Sequence, residues 1–344
     1  MKVDELRGVL SQYDQGMTTK LAVELYKMIP KRVRDDNGLD DFIRTFPVAN
    51  TSLRSARSTN QQPIDFGALR QEVETFLQYA AAGYYFQPNR IVSKTARSKW
   101  RFTARRLIKS LVATRGDDTD EAALLLAEMW RALCYTCIYY TFPTEAPFSA
   151  VGHAQPDLLD IVLAKLFSVG VTERTMRLAV WLVLESQVDR ETLPSDLQSV
   201  LIVHLKTVDM KQAALDECRF FAEHFKDPAS CPYPSKRFRP TYSRQGFAID
   251  YSRAAARQCA ELYLRISIAL REYATGIEYF KDHFVERSRE VSLFCLLAVI
   301  HEYIDGDPQL AETWVEVYDD AVKRGVSPRS QLVEQRSVIG RVNQ

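Results

Sequence analysis

The sequence lacks the motifs on which several large enzyme classes depend. None of its 13 glycines forms a G-x-G-x-x-G fingerprint, a G-x-x-x-x-G-K-[ST] loop or a G-x-S-x-G turn, and none of its 5 histidines lies in an H-E-x-x-H pattern. These absences exclude the common nucleotide-driven enzymes and serine hydrolases, because each needs its motif to hold phosphates or the nucleophile. Catalytic groups that converge from distant helices leave no such motif. Enzymatic activity therefore stays open, although the sequence favours a protein without it.

Long apolar runs are also absent. The longest uncharged apolar run, ALCYTCIYYTF at 132–142, is too short to cross a bilayer as a helix. The first residues, MKVDELRGVL, place Asp4 and Glu5 where a secretory signal would carry cationic and then apolar residues. We therefore predict a soluble, cytoplasmic protein with no membrane partner.

The net charge is small, at +1, although 26% of the residues are charged. The whole molecule therefore attracts nucleic acid or membranes only weakly, and any charged partner must be recruited by a local patch. With 46% hydrophobic residues, a chain of 344 residues can bury a large core and has room for two lobes or one extended array.

Cysteines are few, with 6 in the chain, and they are scattered. Most lie within apolar helical patterns, where a free cysteine behaves as a small hydrophobic residue in a reducing compartment. Cys134 and Cys137 form a lone C-x-x-C. A zinc site would need two more ligands, and a redox site would need a strand before the helix. We interpret the pair as buried thiols and predict no metal or cofactor, with Cys134 and Cys137 kept as weak metal candidates.

Apolar residues recur at helical spacing along nearly the whole chain. Ala255, Cys259 and Leu262 lie three or four positions apart, for example, while charged residues occupy the other faces of that helix. The run 199–208 is rich in β-branched residues, but no partner strand is visible nearby, so we predict a helix there as well. The predicted fold is all-α, a multi-helix array of α-solenoid-like stacked helix pairs with irregular loops. The predicted helices span 3–12, 17–29, 39–46, 66–85, 94–114, 119–142, 157–169, 172–187, 195–206, 209–225, 251–274, 277–286, 289–304, 308–324 and 328–340.

Two segments interrupt the helical pattern. Residues 47–64 are polar and end close to Pro63, which is typical of a connection between folded parts. Residues 226–249 contain four prolines and cannot form one continuous helix. The predicted organisation is an N-terminal helical unit at 1–46, a polar linker at 47–64, a helical body at 65–225 with a basic helix at 94–114, a Pro-rich basic loop at 226–249 and a helical-repeat-like region at 250–344.

The C-terminal part contains a helix pair with a distinctive layout. Residues 295–328 comprise a helix, a Gly-Asp-Pro turn, a second helix with Ala311, Tyr318 and Val322, and a closing Gly-Val-x-Pro. This segment resembles tetratricopeptide and pentatricopeptide repeats. The resemblance implies stacked helix pairs with a concave interaction face, and it implies no catalytic residue. The helices predicted between 157 and 225 recur about every seventeen residues, so that two of them match a repeat of this size.

One predicted helix is strongly basic. Residues 94–111, KTARSKWRFTARRLIKSL, carry seven lysines and arginines and no acid, and no acid occurs from Thr75 through Gly116. On a helical wheel one narrow arc is apolar and must face the core; it comprises Ala96, Trp100, Ala104, Leu107 and Leu111. Like charges then lie four positions apart on the remaining surface, which costs about 0.2–0.5 kcal/mol per pair unless something compensates.

Two kinds of partner would compensate this charge, and the sequence leaves both open. One is the acidic cluster at 117–121, or acids on another helix of the same chain. The other is a polyanion, since arginine offers a planar fork for phosphate groups and Phe102 offers a ring for an unpaired base. For Phe102 alone, packing beneath a neighbouring helix or the 47–64 linker is the favoured alternative.

The Pro-rich loop repeats this combination of cations and aromatics. Its segment YPSKRFRPTYSRQGF at 233–247 interleaves both, and no acid occurs from Pro228 through Ile249. Such a segment suits a flexible contact with nucleic acid or an acidic peptide. The alternative is a loop that drapes over the helices with its aromatics as anchors.

We predict a non-enzymatic helical scaffold that binds nucleic acid or another polyanion through the basic helix and the basic, aromatic loop. The alternatives are a protein-interaction scaffold whose basic faces dock an acidic partner protein, and a thiol- or metal-dependent enzyme that uses Cys134 and Cys137. The candidate binding residues are Lys94, Arg97, Lys99, Arg101, Phe102, Arg105, Arg106, Lys109, Lys236, Arg237, Phe238, Arg239, Tyr242 and Arg244.

Overall fold

A computed structural model describes residues 9–10, 12–29, 43, 65–224, 236–238 and 245–342. Within these ranges every regular element is a helix, which confirms the predicted all-α class. The chain separates into two compact units, Met1–Asp65 and Phe66–Gln344. The second unit contains most of the described residues.

We number the α-helices of the described residues in chain order. They are α1 (Gln15–Met28), α2 (Phe66–Ala81), α3 (Lys94–Ser98), α4 (Trp100–Ala113), α5 (Thr119–Thr136), α6 (Pro147–Val151), α7 (Gln155–Phe167), α8 (Glu173–Leu184), α9 (Pro194–His204), α10 (Val208–His224), α11 (Gln245–Ala269), α12 (Tyr273–His283), α13 (Arg289–His301), α14 (Pro308–Lys323) and α15 (Ser330–Val342). Two short 3₁₀ helices span Gly116–Asp118 and Lys236–Phe238.

Helix α1 belongs to the N-terminal unit. It begins after Asp14, whose side chain accepts a hydrogen bond from the Met17 N–H at 2.7 Å and so caps the helix. Val23, on the same helix, is exposed. Four predictions fall largely outside the described residues, namely the helices at 3–12 and 39–46, the linker at 47–64 and the Pro-rich loop at 226–249.

The predicted basic helix at 94–114 is in fact two helices, because the chain turns at Lys99 (φ −96°, ψ 2°). Ser93 caps α3 by accepting a hydrogen bond from the Ala96 N–H at 3.2 Å. Helix α3 buries no side chain, so Ala96, which a single helix would place on the core side, is exposed. The core side of α4 agrees with the prediction, since its buried residues are Trp100, Ala104, Leu107, Ile108 and Leu111.

Other boundaries differ from the predictions by several residues. Helix α5 ends at Thr136 instead of 142. Helix α6 has no counterpart among the predicted helices, because its 5 residues are too few to show a helical period. The β-branched run is helical as far as His204, as predicted. Helix α11 begins at Gln245, inside the segment predicted as a loop.

Two apolar cores lie within the larger unit. The first extends from α2 to α11 and contains Trp181. The second extends from α11 to α15 around Trp314, whose indole N–H donates a hydrogen bond to the Leu297 carbonyl at 3.0 Å. Helix α11 contributes to both, with Leu262 in the first core and Leu264 in the second. Because α11 is shared, the two cores are joined through one continuous helix.

Helices that are close in the chain also pack together. Helix α4 packs on α5, α5 on α7, α7 on α8 and α9, α8 on α10, and α10 on α11. In the C-terminal part α12 and α13 pack on α11, and α14 packs on α13 and α15. No helix among the described residues is long and apolar enough to cross a membrane.

Candidate polyanion-binding face

The buried side of α4 determines which of its side chains reach the surface. Trp100, the first residue of α4, is buried and stacks on Phe142 with ring centroids 4.1 Å apart. The other buried residues of α4 follow Trp100 at helical spacing. Arg101, Arg105 and Lys109 therefore lie on the opposite side, and all three are exposed.

Two of the predicted binding residues are neutralised by carboxylates of the same chain. The guanidinium of Arg106 forms a bidentate ion pair with Glu72 on α2, with 3.0 Å between Nη1 and Oε2. The hydrogen bond to Glu72 raises the pKa of Arg106. Arg237 forms an ion pair with Glu74 on the same helix. Helix α2 thus supplies the counter-charge for one arginine of each predicted basic region.

The acidic cluster at 117–121, which the sequence offers as a partner for the basic helix, pairs with other cations. Glu121 lies 3.0 Å from Arg70, and Asp120 lies 3.8 Å from Arg174. Among the described residues, no acid of this cluster pairs with a cation of the 94–111 segment.

Arg97 and Arg105 donate hydrogen bonds to backbone carbonyl groups. Nη1 of Arg97 lies 2.9 Å from the carbonyl oxygen of Val92. Nε of Arg105 lies 3.0 Å from the carbonyl oxygen of Val151 at the end of α6. The Arg105 guanidinium also lies against Gly152, where an added Cβ would be 2.8 Å from Nη2. A carbonyl group orients an arginine but carries no negative charge, so these contacts pair neither guanidinium with a carboxylate.

Four further cations of the segment make neither an ion pair nor a side-chain hydrogen bond among the described residues. Lys94, Lys99, Arg101 and Lys109 are exposed, and no carboxylate oxygen of those residues lies within ion-pair distance of them. The Arg101 guanidinium lies over the ring of Phe102, 4.9 Å from its centroid. Phe102 is 51% exposed, so the described helices do not cover this ring.

The described part of the Pro-rich loop is anchored to the helices. Phe238 is 3% exposed and packs against Tyr135, with ring centroids 5.8 Å apart. The ion pair of Arg237 with Glu74 holds the same 3₁₀ helix. At these two residues the structure therefore matches the alternative in which the loop drapes over the helices. The side chain of Lys236 and the residues Arg239, Tyr242 and Arg244 lie outside the described part of the chain.

Cys134 is buried and Cys137 is half-buried, and both are free cysteines. Sγ of Cys134 lies 3.6 Å from Oγ of Ser186 and 3.6 Å from Nε2 of Gln155. Burial raises the pKa of both thiols, to about 12 for Cys137, and a protonated thiol is a poor nucleophile and metal ligand. Among the described residues, no group of three or more His, Cys, Asp or Glu side chains is arranged to hold a metal ion.

The structure also shows an exposed aromatic pair that the sequence does not single out. Phe86 lies on the α2–α3 loop (82–93) and Tyr140 on the α5–α6 loop (137–146), and their rings are stacked with centroids 5.4 Å apart. Residues so distant in the chain give no joint sequence signal. The acid-free stretch, which includes Phe86 and Arg90, is the one feature that could have indicated this surface.

A polar cleft lies between α12 and α14. Its volume is about 600 Å³, and both acids and bases line it, among them Glu278, Lys281 and Glu316. No residue of the 94–111 segment lines this cleft.

Comparisons with known proteins leave the chain without relatives to argue from. No protein-family model, no curated protein and no solved structure matches it.

Proposed function

We propose that the chain is a helical scaffold that binds nucleic acid or another polyanion through a basic face. The basic face comprises Lys94, Lys99, Arg101, Phe102, Arg105 and Lys109. The observation that supports the proposal most directly is that the five exposed cations of this face, Lys94, Lys99, Arg101, Arg105 and Lys109, have no carboxylate partner among the described residues. Arg106 is not part of this face, because its charge is already matched by Glu72.

The arrangement of these charges favours an extended anion over a single small ion. Arg101, Arg105 and Lys109 follow one another at intervals of four residues, so their row extends over about 12 Å of α4. Lys94 and Lys99 continue the positive charge through α3 and the turn. Neighbouring like charges on a helix repel each other by about 0.2–0.5 kcal/mol per pair, and a bound polyanion offsets this repulsion.

We also propose that the helices form an α-solenoid-like stack and that the protein is cytoplasmic, as the sequence predicts. Packing of neighbouring helices from α7 to α11 and from α13 to α15 supports an α-solenoid-like stack with a repeat-like C-terminal region. Buried free thiols, such as those of Cys134 and Cys218, suit the reducing conditions of the cytoplasm.

Charge reversal on the basic face tests the proposal. We expect Lys99→Glu with Arg101→Glu to weaken the binding of fluorescent heparin or nucleic acid by about tenfold or more, because two attractive contacts become repulsive. The matched control is Lys206→Glu with Arg289→Glu, which changes the net charge equally at exposed positions outside the basic face. Equal binding by the two double variants would contradict the proposal.

An acidic partner protein is the alternative occupant of the same cations. Purification of the full chain at moderate salt distinguishes the two, because bound nucleic acid absorbs strongly at its own wavelengths and a protein partner does not. A stoichiometric acidic protein without excess nucleic-acid absorbance would support the alternative and contradict the proposal.

A further inference from the structure

Two aromatic side chains are stacked at the surface of the larger unit instead of in its core. Phe86 and Tyr140 are 43% and 65% exposed, and their ring planes are 25° from parallel. Ile91 and Ile138, on the same two loops, are exposed as well. A cluster of exposed apolar side chains marks a contact surface.

The loop that carries Phe86 is held in place by hydrogen bonds. The side-chain amide of Asn89 donates to the Tyr84 carbonyl at 2.7 Å, and its side-chain oxygen accepts from the Val92 N–H at 2.7 Å. Arg97 on α3 donates to the Val92 carbonyl from the other side. A ring presented by such a loop loses little conformational freedom on binding, which favours its use in a preorganised contact.

Buried aromatic packing anchors the loop that carries Tyr140 to α4. Phe142, two positions after Tyr140, stacks on Trp100 with ring centroids 4.1 Å apart. Trp100 in turn lies between Lys99 and Arg101 in the sequence. The α5–α6 loop is therefore held against the first residue of α4, which follows Lys99 of the basic face in the sequence.

The unpaired charges carried by the α2–α3 loop and the start of α3 are positive. Arg90 lies four positions after Phe86 on the same loop, Lys94 begins the next helix, and both are exposed without a carboxylate partner among the described residues. Glu145, the acid of the α5–α6 loop, lies 2.8 Å from Arg190, so its charge is compensated. The surface next to the rings therefore suits phosphate groups.

We propose that Phe86 and Tyr140 form a stacking platform for unpaired bases, so that the polyanion held by the basic face is a single-stranded nucleic acid. This inference rests on the proposed function, because the basic face supplies the phosphate contacts. A duplex keeps its bases stacked on one another, whereas a single strand can lay a base on an exposed ring. Every base has a π face, so the platform accepts any base sequence.

Removal of the two rings tests the platform. The variant Phe86→Ala with Tyr140→Ala is compared with Phe86→Tyr with Tyr140→Phe, which keeps both rings. The probes are a uridine RNA and a thymidine DNA of about 12 nucleotides, a duplex of the same length, and heparin. We expect the alanine variant to bind the single strands about tenfold or more weakly and heparin unchanged, because heparin has no bases. The ring-preserving variant should bind all probes as the wild-type protein does.

The possible outcomes separate this inference from the proposed function. Unchanged binding of both single strands by the alanine variant overturns the platform, and so does an equal loss of heparin binding. In either case the proposed function stands if Lys99→Glu with Arg101→Glu still weakens heparin binding. A loss confined to RNA or to DNA supports the platform and identifies the strand. Tyr140→Ala alone, at the more exposed ring, provides the same test if circular dichroism shows that the double variant does not fold.

Discussion

The guanidinium of Arg106 and the carboxylate of Glu72 form a bidentate ion pair that joins α4 to α2. Among the described residues, this is the contact through which a carboxylate neutralises a cation of the 94–111 segment. Arg106 therefore contributes to the fold, whereas the neighbouring cations remain available to a partner.

Glu72→Gln removes this carboxylate and keeps a side chain of similar shape. We expect polyanion binding to become tighter by about two- to fivefold, because Arg106 becomes one more available cation beside the basic face. The free energy of unfolding should fall by no more than about 1 kcal/mol, since both side chains are about half exposed. Fluorescence anisotropy and urea unfolding measure the two effects.

The matched control for Glu72→Gln is Glu290→Gln, which breaks a similarly exposed ion pair with Arg329. Its polyanion affinity should remain that of the wild-type protein, because Glu290 lies outside the basic face. If Glu72→Gln also left the affinity unchanged, the bound anion would not lie close to Arg106.

How far the sequence predicts the fold is shown by two segments. The β-branched run in α9 is correctly predicted as a helix, because no strand partner accompanies it. The turn at Lys99 is not predicted, because the apolar period runs on from Ala96 to Trp100, whereas Trp100 packs against Phe142, which is distant in the chain. Local periodicity therefore predicts the helices, whereas contacts between distant residues decide where a helix breaks.

The pair of Arg265 and Glu302 gives a prediction for stability. Arg265 is 2% exposed and holds Glu302 through two hydrogen bonds, one of them 2.9 Å between Nη2 and Oε1. Glu302→Gln removes the charge of the carboxylate that is hydrogen-bonded to this buried guanidinium. We expect a loss of about 2 kcal/mol in the free energy of unfolding, below the cost for a fully buried pair because Glu302 is half exposed.

Urea unfolding measures this loss, with Glu316→Gln as the control. Glu316 is exposed on α14, so its replacement should change the free energy of unfolding by less than about 0.5 kcal/mol. A loss for Glu302→Gln no larger than that of the control would show that water solvates the Arg265 guanidinium.

Asp307 makes stability depend on pH. Its carboxylate accepts hydrogen bonds from the Tyr273 hydroxyl at 2.5 Å and from the Leu310 N–H at 3.1 Å, and these bonds lower the pKa of Asp307 below its ordinary value of 3.8. Because the folded-state pKa is below that of the unfolded chain, the contribution is fully present above pH 3.8. It is lost as the pH falls through the lower folded-state pKa.

Asp307→Asn keeps a capping oxygen but cannot titrate. We expect its free energy of unfolding to depend less on pH than that of the wild-type protein between about pH 2 and 4, as measured by urea unfolding. Asp307→Ala should lose about 1 kcal/mol at neutral pH, because the cap of α14 is removed. Identical pH profiles of the wild-type protein and Asp307→Asn would contradict this role.

Cys134 and Cys137 should react slowly with a thiol reagent in the folded protein. Burial raises the pKa of both thiols, so little thiolate is present near neutral pH. Mass spectrometry of the labelled peptides measures the reaction, and unfolding in urea should make it fast. A chelator should leave the thermal unfolding temperature unchanged. Rapid labelling of the native protein, or one bound zinc ion per chain that the chelator removes, would contradict this account.

The candidate site is predictable from the sequence in part. The acid-free stretch and the apolar arc of α4 correctly indicate an exposed row of cations at Arg101, Arg105 and Lys109. The pairing of Arg106 with Glu72, 34 positions earlier, follows from how α2 packs on α4 and has no local signal. For the same reason the sequence does not reveal that Phe238 is buried.

The salt dependence of single-strand affinity tests the central claim most directly, namely that unpaired cations of the basic face bind phosphate groups. With about four phosphate contacts, the logarithm of the association constant should fall with the logarithm of the salt concentration with a slope of about −3. Lys99→Glu with Arg101→Glu should make the slope about half as steep, while Lys206→Glu with Arg289→Glu should leave it unchanged. An affinity that does not change with salt, or equal slopes for all three proteins, would contradict the claim.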